Sequence, residues 1–199
     1  MTQRTGRVVR NTAETQITVE IDLDGTGKYE LDVGNGMFEH LLAQLARHGP
    51  LDLTVKAKGD TEVGWHHLVE DTGIALGRAL RDAVGDGRGI VRTGHSYVPL
   101  DEVLALTVVD FGGRGYAAIH ADIGNSDMGG LPGDLVTHFL EALAREGQFN
   151  LHARIITGVN NHHKAEAIFK SLARSLRAAL EVDPRRGDQV PSTKGTISD

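Results

Sequence analysis

The chain carries one pattern of histidine and glutamate twice, and this repeat limits its possible folds more than any other feature. The two copies are His66-His67-Leu68-Val69-Glu70 and His162-His163-Lys164-Ala165-Glu166, with an offset of 96 residues (66 to 162). Because positions i and i+4 share one face of a helix, the first histidine and the glutamate of each copy can point at one metal ion. The second histidine lies roughly 100° away around the helix and can reach a different point.

The repeat extends beyond these two patterns. His40 is followed by Leu-Ala-Arg-x-Gly, and the same arrangement follows His138 at an offset of 98 residues (40 to 138). A histidine-rich surface has no physical reason to repeat its register in this way, whereas a pair of related metal sites does. The sequence therefore predicts a duplicated unit with a pseudo-twofold relation between its halves.

Hydrophobic periodicity predicts an α+β fold in which each half is β-β-α-β-α, with the helices packed on one face of the sheet. The predicted first half is 1–95, the second is 96–183, and an irregular tail covers 184–199, all within one compact domain. Residues 6–33 are predicted to form two strands around a turn at 24–27, and the second half is predicted to begin with strands at 98–111 and 114–123. The predicted helices cover 37–47, 65–84, 131–145 and 162–180.

The composition excludes several classes of protein. A formal charge of −6 argues against a nucleic-acid-binding surface, although it leaves room for a local basic pocket. The chain has no cysteine, so it has no disulfide, no thiolate nucleophile and no iron–sulfur cluster. No apolar stretch approaches the roughly 20 residues of a transmembrane helix, so we expect no membrane partner and a cytoplasmic location.

Imidazole and carboxylate ligands suit Zn, Mn, Fe, Ni or Co. The candidate ligands are His40, His66, His67, Glu70, His138, His162, His163 and Glu166. Shared between two octahedral metals, they leave two positions open on each ion, which is typical of a catalytic site. The pseudo-symmetry suggests that each i,i+4 pair is joined by a histidine from the other half. The remaining histidines (His48, His95, His120 and His152) are interpreted as ordinary core or surface residues.

Two further groups of residues carry weaker signals. The segment 191–195 (Pro-Ser-Thr-Lys-Gly) offers hydroxyls, backbone N–H groups and an ammonium, which suit a phosphate or carboxylate. Acidic residues lie at comparable points of the two halves, at Glu14 and at Asp101-Glu102, where a carboxylate near a metal can act as a general acid or base. Taken alone, the 191–195 loop is equally consistent with an ordinary surface loop, and the acidic residues are more typical of solvated surface charge.

Together these residues closely resemble the imidazoleglycerol-phosphate dehydratase family, in its monofunctional form, over nearly the whole chain. The similar stretches are 10–15, 44–49, 53–60, 66–71, 73–77, 97–102, 161–166 and 191–195. The doubled histidine pattern and the Pro-Ser-Thr-Lys-Gly segment are the most specific of them. The family's duplicated α+β unit agrees with the repeat.

The resemblance implies two manganese ions per active site, with ligands from both halves and from neighbouring subunits. The eight candidate ligands match the family's metal positions. Residues that match its phosphate-contacting positions are Arg92, Arg114, Lys170, Ser192 and Lys194. Glu14 matches a substrate-contacting carboxylate, and Asp101 matches an acidic position of the Pro-x-Asp-Glu stretch. The resemblance also implies self-association into a near-spherical shell of 24 subunits.

The implied activity is the dehydration of imidazole glycerol phosphate to imidazole acetol phosphate in histidine biosynthesis, by a manganese-dependent hydro-lyase. In our hypothesis the imidazole ring is the electron sink, and Glu14 or Glu166 removes the proton. Two other functions stay open from the residues alone. A binuclear metallohydrolase acting on a small phosphorylated substrate could use the same ligands. A metal-storage or structural shell protein would have no need of the 191–195 loop.

Overall fold

The computed structural model describes residues 3–197, so residues 1, 2, 198 and 199, at the ends of the predicted first half and tail, lie outside it. The first half contains β1 (Thr5–Asn11), β2 (Thr15–Asp22), β3 (Tyr29–Asp32), α1 (Gly36–His48), β4 (Asp52–Gly59) and α2 (His66–Val84). The second half contains β5 (Thr93–Leu100), β6 (Val103–Asp110), β7 (Tyr116–His120), α3 (Leu135–Glu146), β8 (Asn150–Thr157) and α4 (Asn161–Leu180).

The two halves form four-stranded sheets of the same topology. The strand order is β1-β2-β4-β3 in one sheet and β5-β6-β8-β7 in the other. The edge strands β3 and β7 pair in parallel with β4 and β8, and the other pairings are antiparallel. The register is also repeated, because Ile21 pairs with Leu53 and Val109 pairs with Leu151. The α+β class and the pseudo-symmetric repeat are therefore confirmed.

The helices pack on one face of each sheet, as predicted. Along β2 the side chains alternate, and those of Ile17 and Val19 are buried against the helices. Helix α1 packs against α4, and α2 packs against α3, so the helices of the two halves share one core between the sheets. The rings of Phe38 and Phe139 meet edge to face at 5.5 Å within this core. No helix in the described range 3–197 is long and apolar enough to cross a membrane.

The structure differs from the prediction in the strands. Each half has three strands before its first helix rather than two, because the short β3 and β7 depend on parallel pairing with β4 and β8. The first hairpin turns between Asn11 and Thr15, whereas residues 24–27 link β2 to β3. The predicted strand over 98–111 is interrupted at Asp101, which adopts a φ of 47°. The predicted boundary after residue 95 falls inside β5.

Candidate metal centres and anion pocket

Both doubled-histidine patterns lie in the first turn of a long helix. Helix α2 begins at His66, and α4 begins at Asn161, directly before His162. At the start of α4 the side chain of Asn160 accepts a hydrogen bond from the backbone N–H of His163 at 3.1 Å. Such a cap satisfies one of the free N–H groups of the first turn and fixes where the helix begins. The capped turn thereby sets the direction of the histidine side chains.

One candidate metal centre consists of His40 from α1 together with His162 and Glu166 from α4. The ligand atoms of these three side chains all lie within 4.8 Å of one another. The Oε2 atom of Glu166 is 3.0 Å from Nε2 of His40 and 3.2 Å from Nε2 of His162. The centre thus joins a histidine of the first half to the i,i+4 pair of the second, as the pseudo-symmetry predicted.

Glu166 is held as a carboxylate by its neighbours. Partial burial alone would raise its pKa, but hydrogen bonds from Lys170 and His40 lower the pKa of Glu166 to about 2. The Nζ atom of Lys170 lies 2.6 Å from Oε1 of Glu166. An anionic oxygen between two imidazoles is a suitable ligand for a divalent cation.

The pseudo-symmetric counterpart, His66 with Glu70 and His138, is a more open cluster, because among residues 3–197 only the first set has all three ligand atoms within 4.8 Å of one another. The ring centroids of His66 and His138 are 4.8 Å apart, and Nε2 of His66 is 3.4 Å from Oε2 of Glu70. Here His138 comes from α3 in the second half, and the i,i+4 pair comes from α2 in the first. Arg145 approaches Oε1 of Glu70 at 3.6 Å, so this glutamate also has a cationic neighbour.

The second histidine of each pair turns away from these centres. The rings of His66 and His67 are nearly perpendicular, and so are those of His162 and His163. Nδ1 of His67 lies 3.1 Å from Asp60 Oδ2, and Nδ1 of His163 lies 2.9 Å from Glu102 Oε2. Six of the eight predicted ligands therefore form two clusters within one chain, whereas His67 and His163 join neither cluster.

These carboxylates change the pKa values of His67 and His163, which we call the outer histidines. The hydrogen bond with Asp60 raises the pKa of His67, and the hydrogen bond with Glu102 raises the pKa of His163. In return, the hydrogen bond with His163 and those with backbone N–H groups, chiefly that of Asn160, lower the pKa of Glu102 to about 2. Asp60 was not among the predicted site residues, and Glu102 was noted only beside Asp101 as a possible general acid or base.

A separate pocket collects most of the predicted phosphate-contacting residues. Its volume is about 160 Å³, and it is lined by Arg92, Gly112, Arg114, Ser192, Thr193, Lys194, Thr196 and Ile197. Two guanidinium groups, an ammonium and serine and threonine hydroxyls facing one small cavity suit an oxyanion such as phosphate. Four of the five predicted phosphate contacts thus share one pocket.

Arg92 also fixes the loop that forms this pocket. It has a φ of 82°, forms a two-point ion pair with Asp110 at 2.6 and 3.1 Å, and donates to the carbonyl of Pro191 at 2.9 Å. The loop is closed further by a hydrogen bond from the N–H of Lys194 to the hydroxyl of Ser192 at 3.2 Å. The tail is therefore placed against the junction between the two halves.

The remaining predicted residues lie elsewhere. Lys170 contacts Glu166 rather than lining the anion pocket, so its role as a phosphate contact stays a prediction. Asp101 is 74% exposed in its side chain, and its Oδ2 is 3.8 Å from Nε2 of His163. Glu14 is 56% exposed, and its Oε2 is 3.9 Å from Nδ1 of His67.

Of the four histidines outside the repeat, His95, His120 and His152 lie on exposed strand positions. His48 is half-buried at the end of α1. Its pKa is lowered by partial burial and by the nearby charges of Lys170 and Arg174. None of these four histidines belongs to the cluster of His40, His162 and Glu166.

Comparisons with known proteins agree with this arrangement. Residues 33–176 match the family model of imidazoleglycerol-phosphate dehydratase. The imidazoleglycerol-phosphate dehydratase of Dehalococcoides mccartyi is 49% identical over 99% of each chain, and that of Hydrogenovibrio crunogenus is 50% identical over 98% of this chain and 100% of its own.

Solved structures show the same similarity. The crystal structure of imidazoleglycerol-phosphate dehydratase from Staphylococcus aureus aligns with a TM-score of 0.81 at 33% identity, covering 90% of this chain and 99% of that one. The enzyme of the same name from Pyrococcus furiosus aligns with a TM-score of 0.81 at 34% identity, covering 94% of this chain and 99% of that one. From its sequence and its fold, the chain belongs to the imidazoleglycerol-phosphate dehydratase family.

Proposed function

We propose that this protein dehydrates imidazole glycerol phosphate to imidazole acetol phosphate in histidine biosynthesis, as a manganese-dependent hydro-lyase of the cytoplasm. The observation that carries the proposal is the pair of cross-half centres, His40–His162–Glu166 and His66–His138–Glu70, in a chain of this family. The pocket around Arg92 and Arg114 adds the oxyanion recognition that a phosphorylated substrate needs.

The donor atoms of the two centres fit a first-row divalent cation. Each centre offers imidazole nitrogens and a carboxylate oxygen and no thiolate, a set that manganese accepts. Three ligands per centre leave coordination positions for a fourth protein ligand and for substrate. We propose that two manganese ions bind here, and that when bound they polarise the substrate imidazole and act as a template for it.

We further propose that the outer histidines complete centres in other copies of the chain, within a large shell of 24 subunits. His67 and His163 point away from the centres of their own chain, and their side chains remain 38% and 29% exposed. Val63 and Val159, which precede His66 and His162 by three residues, are 69% and 82% exposed. Exposed apolar side chains at equivalent positions beside both histidine pairs suit burial against another subunit.

Other residues of the chain bind the phosphate of the substrate and orient it. The Arg92 and Arg114 guanidinium groups, the Ser192 hydroxyl and the Lys194 ammonium bind the phosphate and fix the position of the substrate side chain. Lys170, which neighbours Glu166, is proposed to approach the phosphate from the metal side. Because distinct groups hold the two ends of the substrate, the carbons between them are presented in one orientation.

The reaction breaks one C–O bond and one C–H bond. The hydroxyl leaves the carbon attached to the ring with the bonding electron pair and departs as water once it is protonated, while the ring supplies electrons to that carbon. A carboxylate takes the proton from the neighbouring carbon, and the electrons of that C–H bond form the C=C bond of the enol. The resulting enol tautomerises to the ketone. We assign the proton transfer to Glu14, because Glu166 already bonds Lys170, His40 and His162 and its pKa of about 2 makes it a poor base. Asp101 remains a second acidic candidate beside His163.

An assay of both possible products separates the dehydratase from a metallohydrolase. Purified protein loaded with Mn²⁺ would receive imidazole glycerol phosphate, and the ketone and inorganic phosphate would be measured together. We expect ketone to accumulate with no release of phosphate. Phosphate release without ketone would favour the binuclear metallohydrolase instead. The absence of both products would contradict both functions.

A further inference from the structure

The two outer histidines are equivalent by duplication, yet the carboxylates that hold them are not. Nδ1 of His67 contacts both oxygens of Asp60, at 3.2 and 3.1 Å. Nδ1 of His163 contacts Glu102 at 2.9 Å. Asp60 is the first residue after β4, whereas Glu102 lies in the turn between β5 and β6.

The strand register identifies the true counterpart of Glu102 as Glu14. The hairpins β1–β2 and β5–β6 correspond at an offset of 88 residues (Ile21 to Val109), which relates Glu14 to Glu102. Each glutamate is the last residue of its hairpin turn, directly before β2 or β6. However, Glu14 is 3.9 Å from Nδ1 of His67, and no hydrogen bond to its side chain is found within residues 3–197.

The residues after β4 and β8 explain why the two halves differ. In the second half a bulge between Leu104 and Ala105 shifts the pairing with β8 by one residue, so Gly158 lies against Val103 as Gly59 lies against Thr15. Val159 therefore takes the place of Asp60. A valine side chain cannot accept a hydrogen bond, so in this half the glutamate of the hairpin contacts the histidine. In the first half Asp60 occupies the corresponding place and contacts His67 itself.

Glu102 is anchored for this task by more than the histidine. Its Oε1 accepts hydrogen bonds from the backbone N–H groups of Asn160 at 2.9 Å and Val159 at 3.3 Å. The carboxylate therefore ties the hairpin to the loop that precedes α4, and its second oxygen meets the imidazole. A carboxylate can only accept hydrogen bonds, so the imidazole must carry its proton on Nδ1, which leaves the lone pair of a neutral ring on Nε2.

We propose that Asp60 and Glu102 are positioning residues, which hold Nδ1–H of His67 and His163 so that each Nε2 is presented to a metal ion. Because Asp60 holds His67, Glu14, the counterpart of Glu102, does not position a histidine and is available for proton transfer. This inference rests on the proposed metal-dependent function. Carboxylates that hold ligand histidines in this way typically change metal affinity by about 10–100-fold.

The test compares the affinity for Mn²⁺ of the full-length protein with that of Asp60→Asn and Glu102→Gln, using the electron paramagnetic resonance signal of free Mn²⁺. Both variants keep the size of the side chain and remove its charge, and thermal unfolding checks that each is folded. The control is Glu62→Gln, which removes an exposed carboxylate two residues from Asp60. We expect about 10–100-fold weaker binding in both variants, no change in the control, and wild-type affinity in Glu14→Gln.

The outcomes separate the two proposals. If the wild-type protein binds no Mn²⁺, the metal-dependent function itself fails. If the wild type binds and folded Asp60→Asn and Glu102→Gln bind equally well, the positioning role is overturned while the function stands. Weaker binding by Glu14→Gln than by Asp60→Asn would also overturn it, because Glu14 would then be the partner of His67.

Discussion

Glu14 and Glu166 are both carboxylates beside histidines, but their surroundings give them different chemistry. Glu166 is 13% exposed and bonds Lys170, His40 and His162, so its oxygens are already engaged. Glu14 is 56% exposed and lies on a hairpin turn. A general base needs a free oxygen within reach of the proton, and of the two carboxylates only Glu14 offers one.

Replacing Glu14 by glutamine should therefore remove proton transfer and leave the metal centres intact. We expect kcat to fall by about 10²–10⁴-fold, the usual contribution of a general base, with two Mn²⁺ still bound per chain. Glu20→Gln is the control, since this residue is exposed on the adjoining strand and pairs with Arg7. Steady-state kinetics on imidazole glycerol phosphate would measure the kcat of both variants. An unchanged kcat in Glu14→Gln would assign the proton transfer to Glu166 or Asp101 instead.

At this scale the sequence predicted the metal centres better than their supports. Histidine and glutamate at a fixed offset predicted His40 with the 162/166 pair and His138 with the 66/70 pair, and the structure brings both sets together. Asp60 could not be found in this way, because the repeat has Val159 in its place. Glu102 was noted only as a possible acid or base, because its contact with His163 depends on the left-handed turn at Asp101, which interrupts what the sequence presents as one continuous strand.

At the level of elements, two glycines set the distance between strand and helix in each half. A Cβ on Gly6 would overlap the backbone oxygen of Ala79 in α2, and a Cβ on Gly94 would overlap that of Ser175 in α4. The strands β1 and β5 lie against these helices at equivalent points of the duplication. Any larger residue would have to push the strand away from the helix that carries the histidine pair.

Gly94→Ala and Gly6→Ala should each destabilise the fold for this reason. We expect a loss of about 1–3 kcal/mol in the free energy of unfolding, or more if the backbone cannot move. Gly36→Ala at the start of α1 is a matched control, because no atom lies within 4 Å of a Cβ placed there. Urea denaturation followed by circular dichroism measures the difference. Equal stability of Gly94→Ala and Gly36→Ala would contradict the close strand–helix contact.

Helices α2 and α3 are joined across the two halves by an ion pair that should make stability depend on pH. Nε of Arg78 donates to Glu146 at 2.8 Å. Partial burial opposes ionisation, but Arg78 and then Arg145 keep the pKa of Glu146 below its ordinary value. A lowered pKa in the folded state adds stability that is present above the unfolded value of about 4.3 and is lost as the pH falls through the folded value.

Glu146→Gln should consequently be less stable than the wild type at pH 7, by up to about 1 kcal/mol for a partly exposed pair. The difference should shrink as the pH is lowered below about 4.3 and disappear once Glu146 is protonated in both states. Thermal unfolding midpoints of the two proteins between pH 3 and pH 7 give the comparison. A difference that stays constant over this range would show that the ion pair contributes nothing through its charge.

Over the whole molecule, neither half holds a complete centre. His40 of the first half joins the histidine and glutamate of α4, and His138 of the second half lies beside His66 of α2. The contacts of α1 with α4 and of α2 with α3 bring these groups together. The sequence predicted this exchange because duplication conserves register. It did not predict the short parallel strands β3 and β7, whose existence depends on pairing with distant strands rather than on local pattern.

We propose that the two cross-half centres bind the metals on which dehydration depends. The most direct test is turnover of imidazole glycerol phosphate by metal-stripped protein as Mn²⁺ is added back in measured equivalents. We expect no ketone without metal, because six of the eight candidate ligands converge in the two clusters. Activity should rise to a plateau at two Mn²⁺ per chain. Full turnover by the metal-free protein would contradict the account.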